Sequence, residues 1–321
     1  MIVLVPAPVY EELRAPAQAV APGVRLLPYA EDDAPVEGAD EAEAVFRWIA
    51  GKRYADLVVD GPRVRWLHTA SAGMDHVLTR PVREATQARN ILVTDSGAAF
   101  EIAIAEFVLA WMLMVTRRLP TLLEMQHARD WRWLEQDELF GQTVGVVGLG
   151  PIGRGIAARA KAFGMRTLGL RRTSEPIESV DETLTGRDGL ERLLAESDWV
   201  VLAAALTGET RHLIGAGELA CMKPSARLIN IARGDLVDEA ALIDALRANR
   251  IDGACLDVFA REPLPQNSPL WDLPNVYVSP HSSSGWTRGL HERQKRLFID
   301  NLARFVRGEP LAGIVDVRRG Y

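Results

Sequence analysis

The segment Gly148-Leu149-Gly150-Pro151-Ile152-Gly153 limits what this chain can fold into more than any other stretch. Before it, Thr143-Val144-Gly145-Val146-Val147 is short, apolar and rich in β-branched residues. After it, Ile152, Ile156, Ala157, Ala160 and Phe163 recur at helical spacing until Gly164 breaks the pattern. The order is therefore strand, tight turn, helix, and a further apolar run from Thr167 to Leu170 predicts the next strand. In such a unit the first glycine closes the turn, the second admits a pyrophosphate to the backbone, and the third packs the helix on the strand. Unpaired N–H groups at the helix start then attract phosphate. A purely structural turn can carry the same six letters, but the flanking strand and helix point to a bound dinucleotide. Gly148, Gly150, Pro151, Ile152 and Gly153 are its candidate contacts.

Where the second strand ends, an NAD site usually carries an acid that bonds the ribose 2′-hydroxyl. Here the chain reads Leu170-Arg171-Arg172-Thr173. Two guanidiniums and a hydroxyl suit a 2′-phosphate, which a carboxylate would repel. NADP(H) is the preferred cofactor on this reading and NAD(H) the possible one. The other reading leaves one or both arginines as solvated loop charges.

Strand and helix signals alternate along the chain. Val3–Val5, Leu57–Val59, Val64–Leu67 and Ile91–Val93 predict strands in a first set, and 167–170, 199–203, 227–231, 253–256 and 276–278 in a second. Two parallel-sheet α/β domains follow, as 321 residues also suggest. The tail 291–307 has helical periodicity and is read as crossing back to the first domain, making that domain discontinuous. The boundaries are placed at 1–98 with 288–321, and at 99–287. Residues 119–140, with Trp131, Trp133, Leu134 and Phe140, are either an arm that packs on a second subunit or a loop over the chain's own core.

A net charge of −6 and no basic stripe argue against nucleic acid. The most apolar stretch, Ile102 to Val115, is too short for a bilayer and carries Glu106, so it reads as a long buried helix and no membrane partner is expected. Met1–Pro6 reads as a first strand rather than a signal peptide. Cys221 and Cys255 lie in apolar surroundings and read as buried free thiols, with no metal site. The expected location is cytoplasmic.

Three segments place polar residues just past a predicted strand, where ligands bind in an open α/β sheet. They are Leu228 to Glu239 with Arg233, Cys255 to Pro263 with Asp257 and Glu262, and Val276 to His281. Singly, each side chain is a loop charge or a local hydrogen bonder. Together, beside a dinucleotide turn, they make a coherent hydride-transfer site. Glu262 bonded to His281 would favour an imidazolium that protonates a ketone oxygen. Arg233 would clamp a carboxylate or polarise a carbonyl.

On Gly148–Gly153, Asn230-Ile231-Ala232-Arg233-Gly234-Asp235, Leu256-Asp257-Val258-Phe259 with Glu262-Pro263, and Ser279-Pro280-His281, the chain resembles the D-isomer-specific 2-hydroxyacid dehydrogenases over nearly its whole length. The resemblance implies a Rossmann coenzyme domain, a flavodoxin-like substrate domain and a homodimer. It makes Arg233 the substrate-binding arginine, Glu262 the partner of His281, and His281 the proton donor and acceptor. Asp257 would hold the nicotinamide carboxamide, with the backbone of Ile231 and Ala232 beside it. In the first domain Ala72 and Gly73, within Ser71-Ala72-Gly73-Met74-Asp75, would hold the substrate carboxylate through backbone N–H groups. Ala105-Glu106 fits the family's long inter-domain helix.

The chain also departs from the family pattern. An alanine stands where a proline is common before Leu206-Thr207, near the expected cofactor contact of Thr207, and Ser282–Trp286 is more polar than usual. The expected activity is reduction of a small 2-oxo acid such as glyoxylate or hydroxypyruvate. A hydride-transfer relative acting on formate would not need Glu262 as acid–base partner. The rival is a non-catalytic NAD(P)(H)-sensing protein of the same fold.

Overall fold

The computed structural model describes residues 1–32, 34–49 and 51–321. The chain divides into one unit of residues 1–100 with 286–321 and a second of residues 101–285.

The first unit holds five parallel strands, β1 (Ile2–Pro6), β2 (Arg25–Tyr29), β3 (Ala44–Arg47), β4 (Trp66–Thr69) and β5 (Leu92–Thr94), in the order β2-β1-β3-β4-β5. This is the doubly wound order of flavodoxin-like sheets. Helices cover both faces. On one, Val9, Leu13 and Ala17 of the first helix pack with Phe298, Ile299 and Leu302 of the last, Arg288–Arg307, against Val3, Phe46 and Trp66. On the other, Leu4, Val45 and Leu67 meet Tyr54, Leu57 and Val58.

Residues 57–59 are not the strand that their apolar run suggested. They lie in the helix Tyr54–Asp60, because Tyr54, Leu57 and Val58 recur at three- and four-residue spacing and are buried while Val59 is exposed. β2 and β3 carried weak signals. β2 includes Pro28, which an edge strand tolerates, and β3 is four fully buried residues ending in an arginine.

The second unit holds β6 (Thr143–Val147), β7 (Arg166–Leu170), β8 (Glu182–Leu184), β9 (Trp199–Leu202), β10 (Arg227–Asn230), β11 (Gly253–Leu256) and β12 (Val276–Val278). They run parallel in the order β12-β11-β10-β9-β6-β7-β8, the Rossmann order with an added edge strand. β6, leading into the glycine turn, therefore sits at the point where strand order reverses. Its core is aliphatic, with Val147, Leu168, Val200, Leu202, Leu228 and Leu256 at its centre.

The helix Gly97–Thr116 is long and apolar enough to cross a membrane by length and composition. Ile104, Ala105, Val108, Leu109, Trp111 and Met112 form its buried side, while Ile102 and Glu106 are exposed. Cys255 is buried as expected, and burial pushes its thiol up to about 12. Cys221 corrects the reading of two buried thiols: it is exposed, at the end of the short helix Ala216–Cys221.

Candidate active site

The glycine turn leaves β6 and enters the helix Pro151–Ala162, with Gly150 at the N-cap and Pro151 in the first turn. Gly148 has φ +97°, and a Cβ there would lie 2.6 Å from the Ala204 backbone. A Cβ on Gly153 would lie 1.9 Å from the Gly148 carbonyl oxygen, so helix and turn can touch only with glycine present. Over Gly150 the situation is the reverse: an added Cβ would meet nothing within 4 Å. No side chain caps the helix, and the first-turn N–H groups of Ile152 and Gly153 lack intrahelical acceptors. An open space faced by unanswered amides and the positive end of a helix fits a pyrophosphate.

Arg171, Arg172 and Thr173 follow β7, next to this turn, and Gly148 N–H donates to the Leu170 carbonyl at 2.9 Å. The guanidiniums pair with surface glutamates, Arg171 with Glu175 at 3.7 Å and Arg172 with Glu209 at 2.9 Å. Exposed pairs of this kind are worth little, so an incoming phosphate can compete for both arginines. Thr207 lies past β9 in a turn, where its Oγ1 accepts from Glu209 N–H at 3.2 Å and meets Thr210 Oγ1 at the same distance.

The candidates Arg233, Glu262 and His281 come from three adjacent strand exits, those of β10, β11 and β12. Glu262 Oε1 accepts from Phe259 N–H at 3.1 Å, which fixes the carboxylate across its own turn. Its Oε2 lies 2.8 Å from His281 Nδ1. His281 is held in the left-handed region at φ +51°, uncommon for a residue with a side chain. Its N–H donates to the carbonyls of Asp257, at 2.9 Å, and Ser279, at 3.0 Å. With Nδ1 donating to a carboxylate, Nε2 is the nitrogen left for exchange with a ligand.

Arg233 sits on the turn after β10, where Nη1 donates to the Ala232 carbonyl at 2.7 Å. That turn is clamped by a residue whose role the sequence did not reveal. Asn230 is buried and bonds at both ends, Nδ2 to the Arg233 carbonyl at 2.9 Å and Oδ1 from Ala232 N–H at 3.1 Å. An asparagine at the buried end of the strand, after Leu228 and Ile229, was the available signal, because a buried amide must be satisfied. Gly234 lets the turn meet its neighbour, since a Cβ there would lie 1.9 Å from the Phe259 backbone. Ile231 and Ala232 thus line the β10 exit, the former buried.

Asp257 takes a part that the sequence did not suggest. Its side chain is 0% exposed. Oδ1 accepts from Ser279 Oγ at 2.5 Å and Ser282 N–H at 2.8 Å, and Oδ2 accepts from Ser283 N–H at 2.9 Å. The carboxylate therefore anchors the loop that carries His281. A bond to a nicotinamide carboxamide, the contact expected of it, has only the remaining acceptor capacity of this buried group to use.

In the first unit Ala72 and Gly73 follow β4. Their N–H groups are half-buried and meet no acceptor among the described residues. Two such amides in one loop suit an anion such as a carboxylate. Trp286, exposed at φ +43°, lies edge-on to His291, with ring centroids 6.2 Å apart. No group of three or more potential metal ligands occurs among the described residues.

Comparison with known proteins identifies what this arrangement is similar to. A family model described as the NAD binding domain of D-isomer specific 2-hydroxyacid dehydrogenases matches residues 109–283. A glyoxylate reductase of Thermococcus gammatolerans is 39% identical over 284 residues, which cover 85% of this chain and 83% of that protein. Glyoxylate/hydroxypyruvate reductase B of Pectobacterium carotovorum is 38% identical, with 81% of each chain covered. Among solved structures, a D-isomer specific 2-hydroxyacid dehydrogenase from Xanthobacter autotrophicus, in complex with NADPH and MES, superposes with TM-score 0.85 at 32% identity, covering 100% of this chain and 99% of that one. An NADPH-dependent glyoxylate/hydroxypyruvate reductase from Sinorhizobium meliloti, in complex with NADP and sulfate, has TM-score 0.81 at 29% identity, with 100% and 99% covered.

Proposed function

The chain belongs to the D-isomer-specific 2-hydroxyacid dehydrogenase family, and from that premise we propose that it reduces small 2-oxo acids of the glyoxylate or hydroxypyruvate type, with NADPH preferred over NADH. The observation that carries this reading is the Glu262–His281 pair, at 2.8 Å, on adjacent strand exits of a dinucleotide-binding sheet. A non-catalytic sensor of the same fold can keep this pair, so it is turnover of a 2-oxo acid that separates the two readings.

Gly148–Gly153 with the first-turn amides would hold the pyrophosphate, and Arg171, Arg172 and Thr173 the 2′-phosphate. A reduced nicotinamide held by these residues would be the source of the hydride for C2 of the oxo acid. His281 delivers the proton to the C2 oxygen from Nε2. Glu262 keeps Nδ1 protonated and balances the positive ring before transfer. Arg233 pairs with the carboxylate or polarises the carbonyl, and the Ala72 and Gly73 amides bind carboxylate oxygens. Asn230 and Asp257 hold the turns on which Arg233 and His281 ride.

Oxidation of NADPH and NADH with glyoxylate, hydroxypyruvate, pyruvate and a bulky aromatic 2-oxo acid tests the reading. Fastest turnover is expected with NADPH and one of the first two acids, and absence of turnover with all four would refute it. Replacing Arg171 and Arg172 by alanine lowers the NADPH-over-NADH preference by about tenfold or more, the scale of a lost charge-assisted bond. An unchanged preference removes the 2′-phosphate assignment.

We also propose that the arm after the helix Leu119–Ala128 packs on a second copy of the chain. Trp131 and Trp133 are fully exposed, so they do not cap the chain's own core, and Leu119, Leu123 and Phe140 are exposed as well. Apolar surface of this extent marks a contact with another molecule. Sedimentation of the Trp131→Ser/Trp133→Ser variant at micromolar concentration should show dissociation that the unaltered chain does not. Equal mass for the two would count against the arm.

A further inference from the structure

We infer that Arg47 is a positioning residue for the carboxylate-binding loop and acts through the hydroxyl of Ser71. The inference rests on the assignment of the Ala72 and Gly73 amides to the substrate carboxylate.

Arg47 ends β3, opposite Thr69 at the end of β4, and is only 4% exposed. Burying a guanidinium is costly unless its donors are satisfied, and burial pulls its pKa down from the usual arginine value. Its hydrogen bonds run to neutral groups. Nη1 donates to Ser71 Oγ at 2.8 Å and to Thr69 Oγ1 at 3.3 Å, and Nε donates to the Gly51 carbonyl at 3.2 Å. Its charged carbon lies 5.1 Å from the centre of the Tyr54 ring. A cation kept in such a place contributes little to stability over a well-packed apolar side chain.

What Arg47 reaches is the root of the loop. Ser71 Oγ accepts from the guanidinium and has one proton of its own to give, and His76 Nε2 lies 3.1 Å away at the other end of the loop. The neighbouring backbone is tied down as well. Ala70 N–H donates to the Arg47 carbonyl at 2.9 Å, Ser71 N–H to Thr69 Oγ1 at 3.3 Å, and the fully buried Gln294 donates to the Ala70 carbonyl at 2.6 Å. The residues just before Ala72 are thus held in place, while the amides of Ala72 and Gly73 meet no acceptor among the described residues. The guanidinium adds a permanent positive charge beside an anion-binding loop, where a low local dielectric strengthens its effect. This arrangement orders the loop before substrate arrives, which lowers the cost of binding rather than the barrier to hydride transfer.

Arg47→Lys keeps the charge but loses the forked geometry that spans Ser71, Thr69 and Gly51. Ser71→Ala removes the link and leaves the buried arginine in place. Steady-state kinetics should show KM for the 2-oxo acid raised about tenfold or more in each variant, the scale of a hydrogen bond to a charged group. The turnover number should stay within about threefold and the NADPH dissociation constant should be unchanged, the signature of lost uniform binding. The double variant should be no worse than the worse single one, because both act on one contact. Unchanged KM in Ser71→Ala overturns the inference even if Arg47→Lys fails to fold, and so do effects that multiply in the double variant. Absence of 2-oxo acid turnover in the unaltered chain is a different outcome, which overturns the reading of the site and this inference together.

Discussion

His281 is positioned by three separate restraints. Its N–H bonds two carbonyls, its φ lies in the left-handed region, and its Nδ1 faces Glu262. A ring held this way presents one nitrogen in one direction, which general acid catalysis requires. His281→Ala should lower the turnover number by roughly 10²–10⁴, the usual worth of a positioned general acid, while fluorescence titration with NADPH gives an unchanged dissociation constant. A loss below about tenfold would remove His281 from the proton path. The residue types at this site were legible in the sequence because Arg, Glu and His each followed a strand. The parts of Asn230 and Asp257 were less so, since both act by bonding backbone that only the fold brings near.

At the scale of elements, the glycine turn shows how a short segment sets a larger geometry. β6 lies between β7 and β9, so the turn that leaves it is flanked by the exits of both neighbours. Gly153 holds the following helix against that turn, with no room for a methyl group. Gly153→Ala should therefore push the helix off the strand, costing about 1–3 kcal/mol as overpacking does, and weaken NADPH binding together with thermal stability. Equal melting temperature and equal affinity would show that the contact is softer than its geometry. Strand, turn and helix here were readable from periodicity. The run 57–59 was not, because three apolar residues in sequence fit either period until Tyr54 shows which face is buried.

At the scale of the whole molecule, the two sheets carry different chemistry, and the first also carries two titratable groups near its last strand, one buried and one half-buried. His68 is fully buried, with Nδ1 at 2.7 Å from Thr94 Oγ1 and Nε2 at 3.2 Å from Ser96 Oγ, and burial lowers its pKa from 6.5 to about 3. The unfolded chain thus binds a proton here that the folded chain refuses, so stability is full above pH 6.5 and falls on acidification toward about 3. Asp95 has the opposite sign. Burial raises its carboxyl from 3.8 to about 6, so its contribution is full below 3.8 and is lost as pH rises through about 6. Between pH 4 and 6 the two slopes oppose each other. Melting curves across this window should show a shallow acid loss, steeper in Asp95→Asn and reversed to a gain in His68→Gln. Parallel curves for all three proteins would exclude both groups.

The sequence by itself determined the α/β class, the glycine turn, the placement of Arg233, Glu262 and His281 just past three strands, and the arginines beside the turn. Each of these is a local pattern, set by a backbone conformation or by a residue type at a strand exit. Tertiary structure alone decided that Asp257 is buried against the His281 loop, that Asn230 clamps the Arg233 turn, and that Arg47 reaches Ser71. Those contacts join residues from separate elements. Their partners are chosen by strand order and register, which hydrophobic periodicity along one segment does not encode. The glycine turn could be read in advance because its constraint lies within six residues, whereas the buried cation needed two neighbouring strands in register before it had anything to hold.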